Sequence, residues 1–469
     1  MLLGKYGWAY LGLKFIILGI ITLLISFDMQ PDSWWLHGCW CILGGLLLLP
    51  VLIKLIHSNT VVILSDHRIT LILSFALYFL YGAAMLYFAT EDQISNRLIE
   101  FPVDAQLAMR IDAMNAIGLG IILVISTFSR WRWLAKQVYQ LTISFSNLSQ
   151  IKCLWTLMLL SCLPTYYVFF HDINMFGEGD IISGIWRFSD KISLVMALLS
   201  IIYRGPGSLY INIFSIFYLL FLSITGVILF SKQNAILPLV TIAIGLSIRY
   251  NTLKILPIAV LVIAIFYNFI GGPIAYSRIN FYNISQDSIL SGRINNIISG
   301  IDAADDELDS AKFSSWGRLC YIPSQAAALY FYDIDNGGKD FQMIPLMFVP
   351  RFILPNKENT TATGTEFYYK ITGQLSSSTG TGIFFSGYYS LGWLGLILSS
   401  CLCGWLIAQT STIAFIVLSR FSIPLIPFAF AGNFMAFRID GSFLSDYLGF
   451  SLYIFYPIIF LSLILKLLR

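Results

Sequence analysis

The chain has 469 residues, of which 57% are hydrophobic and 11% charged, and a formal net charge of +3; its mean hydropathy is +0.78. A soluble domain has roughly a quarter of its residues charged, so this composition excludes a water-soluble globular protein. The basic residues are scattered through short segments and form no dense stripe, which excludes nucleic acid as a partner.

In chain order, apolar runs long enough to span a bilayer occur at residues 8–27, 35–56, 69–89, 112–129, 153–171, 182–203, 208–230, 233–248, 254–272, 384–408, 421–437 and 447–466. A hydrocarbon core about 30 Å thick needs about 20 residues per helical crossing. The expected fold is an all-α polytopic membrane protein with about twelve transmembrane helices. The first run lacks a small-residue cleavage site and is followed by another crossing, so it is expected to be a retained helix. The run at 182–203 is interrupted by Arg187, Asp190 and Lys191. Residues 409–420, closed by Arg420, either lengthen the tenth helix or lie along the interface.

Charge orients the runs, because Lys and Arg are retained on the cytoplasmic side during insertion while acidic residues count for little. With the N-terminus inside, the inner set is Lys5, Lys54, Arg68, Arg130, Arg132, Lys136, Lys152, Arg204, Arg249, Lys254, Arg420, Lys466 and Arg469, with Asp66 as its one acid. The opposite short segments are rich in acids, among them Asp28, Asp32, Asp104, Asp112, Asp172, Asp440 and Asp446. Both termini are therefore expected in the cytoplasm. The chain divides into an N-terminal bundle of about nine helices at 1–272, a large outer loop at 273–383, and about three closing helices at 384–469.

A loop of about 110 residues is far longer than structureless connections usually are, so it is expected to carry its own helices. Ile294, Ile297, Ile298 and Ile301 recur at helical spacing before the acidic run at 302–309, predicting a short amphipathic helix capped by solvated charge. A second helical pattern, rich in Ala and aromatics, runs from Trp316 to Tyr332, and Asp335, Asn336 and the glycines beside them make a turn. Six cysteines, Cys39, Cys41, Cys153, Cys162, Cys401 and Cys403, fall in apolar runs as small buried hydrophobes. Cys320 alone lies in the loop, which excludes a disulfide framework there.

The loop concentrates cations among aromatics: Arg278, Arg293, Lys312, Arg318, Lys339, Arg351, Lys357 and Lys370. Arg351 and Lys357 stand out because Pro350 and Pro355 stiffen the segment that presents them. An Arg fork with a compact Lys charge suits a pyrophosphate, whereas ordinary interfacial cations on a proline-anchored loop are the plain alternative. Arg187 and Lys191 lie four apart, on one helical face near the outer boundary, where they either bind substrate or snorkel to headgroups. Arg249 and Lys254 are accounted for by topology, and Arg438 with Asp440 reads as either an ion pair at a helix end or a binding pair.

A base for a hydroxyl acceptor requires a carboxylate or His near the cations. His37, His57, His67 and His171 all lie outside the loop, so Glu366 is the preferred carboxylate and Asp440 the second. The acidic run at 302–309 lacks calcium-loop spacing, so no metal is expected. Neither a nucleotide-binding Gly-Lys-Ser/Thr loop nor a Gly-x-Ser-x-Gly elbow occurs.

The segment Pro350-Arg351-Phe352-Ile353-Leu354-Pro355-Asn356-Lys357 resembles the Pro-Arg-x-x-x-Pro-x-Lys segment of the Wzy-type O-antigen polymerases. Gly364 to Tyr369, then Gly387-Tyr388-Tyr389-Ser390-Leu391-Gly392-Trp393-Leu394-Gly395, follow as in that family, and Trp316-Gly317-Arg318-Leu319 and Gly338 lie where similar residues occur upstream. The topology also resembles the wider lipid-carrier-dependent, GT-C-like glycosyltransferases, which include the O-antigen ligases. The chain departs from many relatives in lacking a carboxylate near Tyr388.

The resemblance implies a cofactor-free, metal-independent glycosyltransferase of the bacterial inner membrane. It would transfer a glycan from undecaprenyl pyrophosphate to a new lipid-linked repeat unit at the periplasmic face. The implied catalytic residues are Arg351, Lys357 and Glu366. Substrate contacts would fall to Arg278, Arg318, Arg187, Lys191, Arg438, Asp440, Tyr369 and Tyr388. Membrane lipids, a chain-length regulator and a flippase are the implied partners. The alternatives are a ligase acting on lipid A core, against which the absence of a loop His counts, and a transporter, against which the nine-to-three asymmetry counts.

Overall fold

A computed structural model describes residues 4–56, 60–91, 94, 101–129, 131–144, 149–174, 184–250, 255–279, 289–302, 319–349, 354, 362–373 and 379–467. Among these residues every regular element is helical and there is no strand. The helices of eight or more residues are α1 Gly4–Phe27, α2 Trp34–Ile56, α3 His67–Phe88, α4 Ala105–Phe128, α5 Arg132–Ser144, α6 Gln150–Asn174, α7 Gly184–Ile202, α8 Ser208–Ile228 and α9 Lys232–Tyr250. There follow α10 Ile255–Ile279, α11 Ile289–Asp302, α12 Ile322–Asp333, α13 Asp340–Met347, α14 Ala362–Thr372, α15 Ile383–Ser419, α16 Ile426–Phe437 and α17 Phe450–Leu467.

Among the described residues eight stretches are long and apolar enough to cross a membrane, as befits a polytopic helical membrane protein: Tyr6–Phe27, Trp34–Leu55, His67–Phe88, Ala105–Phe128, Gln150–Phe170, Ser208–Ile228, Ile383–Ser419 and Phe443–Ile464. The expected runs at 233–248 and 421–437 overlap the shorter apolar helices Asn234–Tyr250 and Ile423–Phe437, whereas the run at 182–203 keeps only its second half, Ile192–Ile202, as a shorter apolar helix. Residues 255–272 of the run at 254–272 fall within α10. Residues 409–420 prolong α15 to Ser419 instead of forming a separate element.

By contact the chain forms two compact units, one of residues 1–144 and 314–469 and the other of residues 145–313. These units cut across the segments 1–272, 273–383 and 384–469 expected from the charge pattern.

In the first unit α1 and α4 pack backbone to backbone. A Cβ at Gly12 would lie 2.7 Å from the Gly120 carbonyl, one at Gly120 would lie 2.5 Å from the Gly12 carbonyl, and one at Gly19 would lie 2.7 Å from the Ala113 carbonyl. In lipid, where apolar side chains gain little from one another, such close approach is what draws helices together. Two polar clusters add cross-ties. Arg68 donates two hydrogen bonds to Asp66, at 2.6 and 2.9 Å, and the Trp8 indole N–H donates to the same carboxylate at 3.1 Å. Arg68 and Asp66, counted by sequence among the inner-surface charges, are thus buried and structural. Asp112, counted among the outer acids, lies inside α4, where its carboxylate is 2.6 Å from His37 Nδ1 of α2. The His37 Nε2–H donates to the Ala83 carbonyl of α3 at 2.9 Å, so this pair ties three helices.

Helix α12 is packed among those spans. Residues Ile322 to Leu329 are all buried, and Gln325 and Asn115 of α4 exchange two amide hydrogen bonds of 3.1 Å. Just before α12, the Leu319 carbonyl would lie 2.1 Å from a Cβ at Gly82 of α3. Helix α15 is broken at Leu391 (φ −142°) and Gly392 (φ 60°). Unbroken, its 37 residues would extend about 55 Å, well beyond the bilayer. The spaced glycines serve this bend, because a Cβ at Gly395 would meet the Gly387 carbonyl at 2.0 Å.

Among the described residues three helices end on a left-handed residue other than glycine: Phe230, Asp335 and Phe421. In each the next N–H reaches back five residues to a carbonyl, Ser231 to Gly226, Asn336 to Phe331 and Ser422 to Val417, which satisfies the helix terminus. At Phe230 the conformational cost of about 1 kcal/mol is offset by burying the ring. The turn expected at Asp335 and Asn336 is one of these caps.

In the second unit Phe230 of the α8–α9 turn and Ala235 of α9 pack with Ile270 and Ile274 of α10. Arg249 donates to the carbonyls of Ile201 and Tyr203 at 2.9 and 2.7 Å, capping α7. The amphipathic helix expected around Ile294 is present as α11, but its faces differ from the expectation. Ile297 packs inward beside the buried Arg293, whereas Ile294, Ile298 and Ile301 are exposed. The acidic run at 303–309 lies outside the described residues.

Replacing Gly120 by Val forces α1 and α4 apart and is expected to cost about 1–3 kcal/mol, read as a lower thermal midpoint in detergent. Gly45→Val, where an added Cβ meets nothing within 4 Å, is expected not to lower the midpoint.

Candidate functional site

A charged junction in the first unit is assembled by the turn between α16 and α17, the start of α15, and the residues leading into α12. Helix α16 stops at Phe437, and a turn follows in which the Gly441 N–H donates to the Arg438 carbonyl at 3.2 Å. The Ser442 hydroxyl accepts from the Ser445 N–H at 3.1 Å, while Asp446 accepts from the Ser442 N–H at 2.9 Å. This reciprocal cap opens a π-helical turn, Phe443–Gly449, ahead of α17. A second π-turn, Ala76–Tyr81 within α3, carries Tyr78. Both turns therefore bring a side chain to this junction, and wide turns of this kind recur at functional sites.

At the centre Arg438 lies between two carboxylates, 3.0 Å from Asp446 and 3.8 Å from Asp440. The Tyr321 hydroxyl donates to Asp440 Oδ2 at 3.0 Å. Asp440 Oδ1 is buried without a hydrogen-bond partner. Tyr78 stacks edge-on against Tyr321 and Phe437, with ring centroids 5.6 and 6.1 Å apart. Burial pushes the Asp440 carboxyl above its ordinary range, against the opposing pull of Arg438 and the Tyr321 hydrogen bond. Burial also drives the Tyr321 hydroxyl well above its usual value, and the charge on Asp440 adds to this. For Arg438 burial acts downward but is outweighed by Asp446 and Asp440, so the guanidinium is held more firmly protonated.

The backbone holds this junction to α15. Gly382 and Ile383 donate their N–H groups to the carbonyls of Asp440 and Ile439, both at 3.1 Å. Ser386 of α15 accepts from the Phe443 N–H at 3.2 Å and donates a short hydrogen bond to the buried carboxylate of Asp340 at the start of α13. The Asp340 N–H in turn donates to Ser390 at 3.2 Å. Burial raises the Asp340 carboxyl, partly countered by hydrogen bonds from Ser386 and Thr363. In α14, Lys370 donates to the Tyr389 hydroxyl at 2.8 Å and pairs with Glu366 at 3.2 Å. Burial lowers the proton affinity of Lys370, but Tyr389 and Glu366 more than restore it.

The sequence-predicted residues fall into three groups. Arg438 and Asp440 meet, joined by Tyr321 and Asp446. Glu366 is exposed and engaged by Lys370, and Tyr388 lies against Tyr332 and Trp393 in the field of Asp333 and Arg110; Tyr369, half exposed, joins neither cluster. Arg318, Arg351 and Lys357 lie outside the described residues, and Arg278, Arg187 and Lys191 lie in α10 and α7 with side chains outside the description. Sequence reasoning missed Asp446, Asp340 and Ser386. The Ser442 to Asp446 cap was a local signal for the first, while the other two meet only through tertiary contact.

Among the described residues no group of three or more His, Cys, Asp or Glu side chains could hold a metal ion. No protein-family model, curated protein or solved structure matches the chain. The chemistry at hand is that of a buried carboxylate of raised proton affinity, a guanidinium and a tyrosine. Such a set can accept a proton from a hydroxyl and hold polyol groups by hydrogen bonds.

The raised carboxyl of Asp340 sets a pH dependence of stability. A group whose folded value lies above its unfolded value stabilises the fold fully below about pH 4 and progressively loses that contribution as pH rises through the folded value. Asp340→Asn is expected to flatten that part of the profile. Thermal midpoints of the detergent-solubilised protein, measured from acid to neutral pH, should decline less in the variant than in the wild type.

Proposed function

We propose that the chain is a polysaccharide polymerase of the Wzy type. It transfers a growing glycan from undecaprenyl pyrophosphate to a hydroxyl of a new lipid-linked repeat unit. The observation that carries this proposal is the Tyr321–Asp440–Arg438–Asp446 junction. It sets a buried carboxylate suited to proton abstraction at the ends of apolar helices, in a chain whose Arg351 and Lys357 stand in a Pro-Arg-x-x-x-Pro-x-Lys segment. Glycosyl transfer without a metal needs cations to stabilise the departing pyrophosphate and a base for the attacking hydroxyl. Arg351 and Lys357, supported by Arg318, take the first role.

Asp440 takes the second role in preference to Glu366, because Glu366 is solvent-exposed and already neutralised by Lys370. Arg438, flanked by two acids, orients Asp440 and is not a free anion receptor. The proposal includes about twelve crossings, both termini in the cytoplasm, residues 273–383 on the periplasmic side, and the bacterial inner membrane as location. A chain-length regulator and a flippase are its proposed partners.

The test is reconstitution with a purified undecaprenyl-pyrophosphate-linked repeat unit, following chain length on a gel. Wild-type protein should yield a ladder, and Arg351→Ala and Asp440→Asn should each lose at least about a hundredfold in rate. Transfer to lipid A core without a ladder would make the protein a ligase, and lipid movement without transfer would make it a transporter.

The pH profile tests Asp440 separately. A base acts when ionised, so the rate should climb with pH through the raised value of Asp440. The Tyr321 hydroxyl favours the ionised form, so Tyr321→Phe is expected to move the acid limb of the rate profile to higher pH. An unmoved limb would remove Asp440 from the base role.

A further inference from the structure

Helix α11 has three faces. At about 100° per residue, Arg293 and Gly300 fall close together, with Ile297 beside them. This sector is turned inward: Arg293 and Gly300 are buried, and Ile297 packs on the cluster of Phe230, Ala235, Ile270 and Ile274. The next sector, an arc of about 80°, holds Leu290, Ile294, Ile298 and Ile301, which are 48%, 40%, 51% and 48% exposed. The remaining outward sector holds Ser291, Asn295 and Ser299, all exposed. A helix resting on water alone would gain nothing from keeping four large aliphatic side chains together on one outward flank.

Its seat fixes what that flank meets. Arg293 reaches the Ile228 carbonyl at 3.4 Å and lies over the Phe230 ring at 5.1 Å, so it sits on the C-terminal end of the membrane-spanning α8 and neutralises its dipole. Gly300 lies against Pro273 of α10, where an added Cβ would come within 3.0 Å of the Pro273 backbone. The helix therefore lies across the turn joining α8 to α9, at the level where an apolar span ends and polar chain begins. Helix α10, on which it rests, exposes Ile258, Leu261, Val262, Ile265 and Phe269 at 56–65%. Helices α10 and α11 thus both keep large apolar side chains exposed.

We propose that α11 is an interfacial helix that buries Leu290, Ile294, Ile298 and Ile301 in the headgroup and acyl-chain boundary of the bilayer. Ser291, Asn295 and Ser299 face water, and Arg293 fastens the helix to the end of α8. Amphipathic helices of this kind lie in the membrane plane, and their attachment grows with the apolar area inserted. The lipid surface is thereby a binding partner of the second unit through α11, independently of the catalytic proposal.

The test uses the full chain in vesicles of phosphatidylethanolamine and phosphatidylglycerol, with a nitroxide-bearing amino acid incorporated singly at positions 294, 298, 295 and 299, so that the native cysteines remain. Collision with oxygen, which partitions into lipid, is compared with collision with a water-soluble nickel chelate. The oxygen-to-nickel ratio is expected to be several-fold higher at 294 and 298 than at 295 and 299. Equal ratios at all four positions would overturn the proposal. So would low collision with both reagents at 294 and 298, which would mean that protein, such as a second copy of the chain, covers the flank. A label at Ile265 on the exposed face of α10 provides the lipid reference. Should the labels disturb the fold, Ile298→Asn compared with Asn295→Asp supplies a second readout: only the former should raise amide hydrogen exchange in α11 of the vesicle-bound protein.

Discussion

The seating of α12 against α3, α4 and α15 is the constraint on which the candidate site depends. A polypeptide packed beside membrane-spanning helices must satisfy its own polar groups, because lipid offers no hydrogen bonds. Helix α12 meets this condition through its internal hydrogen bonds and through the reciprocal amide pair of Gln325 with Asn115. Its approach is possible because Gly82 leaves room for the Leu319 carbonyl. Tyr321, at the head of α12, is thereby delivered to Asp440.

From that anchor the site is built largely by backbone. Gly382 and Ile383 pair with Asp440 and Ile439, so the entry to α15 and the exit from α16 are held as one piece. Ser386 extends the connection to Asp340 and to the start of the π-turn at Phe443. The charges then fall into a local balance: one guanidinium between two carboxylates, with a tyrosine hydroxyl supporting the more buried of them. Leaving any of these groups unpaired in a low-dielectric setting would cost more than the pair itself contributes.

Buried polar groups elsewhere play a different part. Arg68 with Asp66 and Trp8, and His37 with Asp112 and the Ala83 carbonyl, are enclosed by helices and reach no surface. They tie helices whose apolar sides would otherwise slide in lipid. The Arg438 junction is distinguished from them by exposure, since the Arg438 side chain is 46% exposed. A group that meets both the interior and the outside is placed to meet a ligand, whereas one that is sealed is placed to hold a fold.

Periodicity and composition were sufficient to identify a membrane protein, most of its apolar helices, the helix around Ile294 and the turn at Asp335, because these depend on local spacing and on the length of an apolar run. The pairing of Arg438 with Asp440 was also legible, since the two lie two residues apart. Local spacing could not show that Asp446 and Tyr321 complete that pair, that α15 breaks at Gly392, or that Arg293 turns inward while Ile294, Ile298 and Ile301 turn out. Those outcomes depend on which backbone approaches which glycine and on which helix end needs a cation, and only the tertiary structure brings such distant residues together. The charge pattern likewise placed Arg68, Asp66 and Asp112 on surfaces, because a count along the chain does not register that two buried opposite charges satisfy each other. Hydrophobic length determined what this chain is made of; close packing and the pairing of buried charge decided where its chemistry lies.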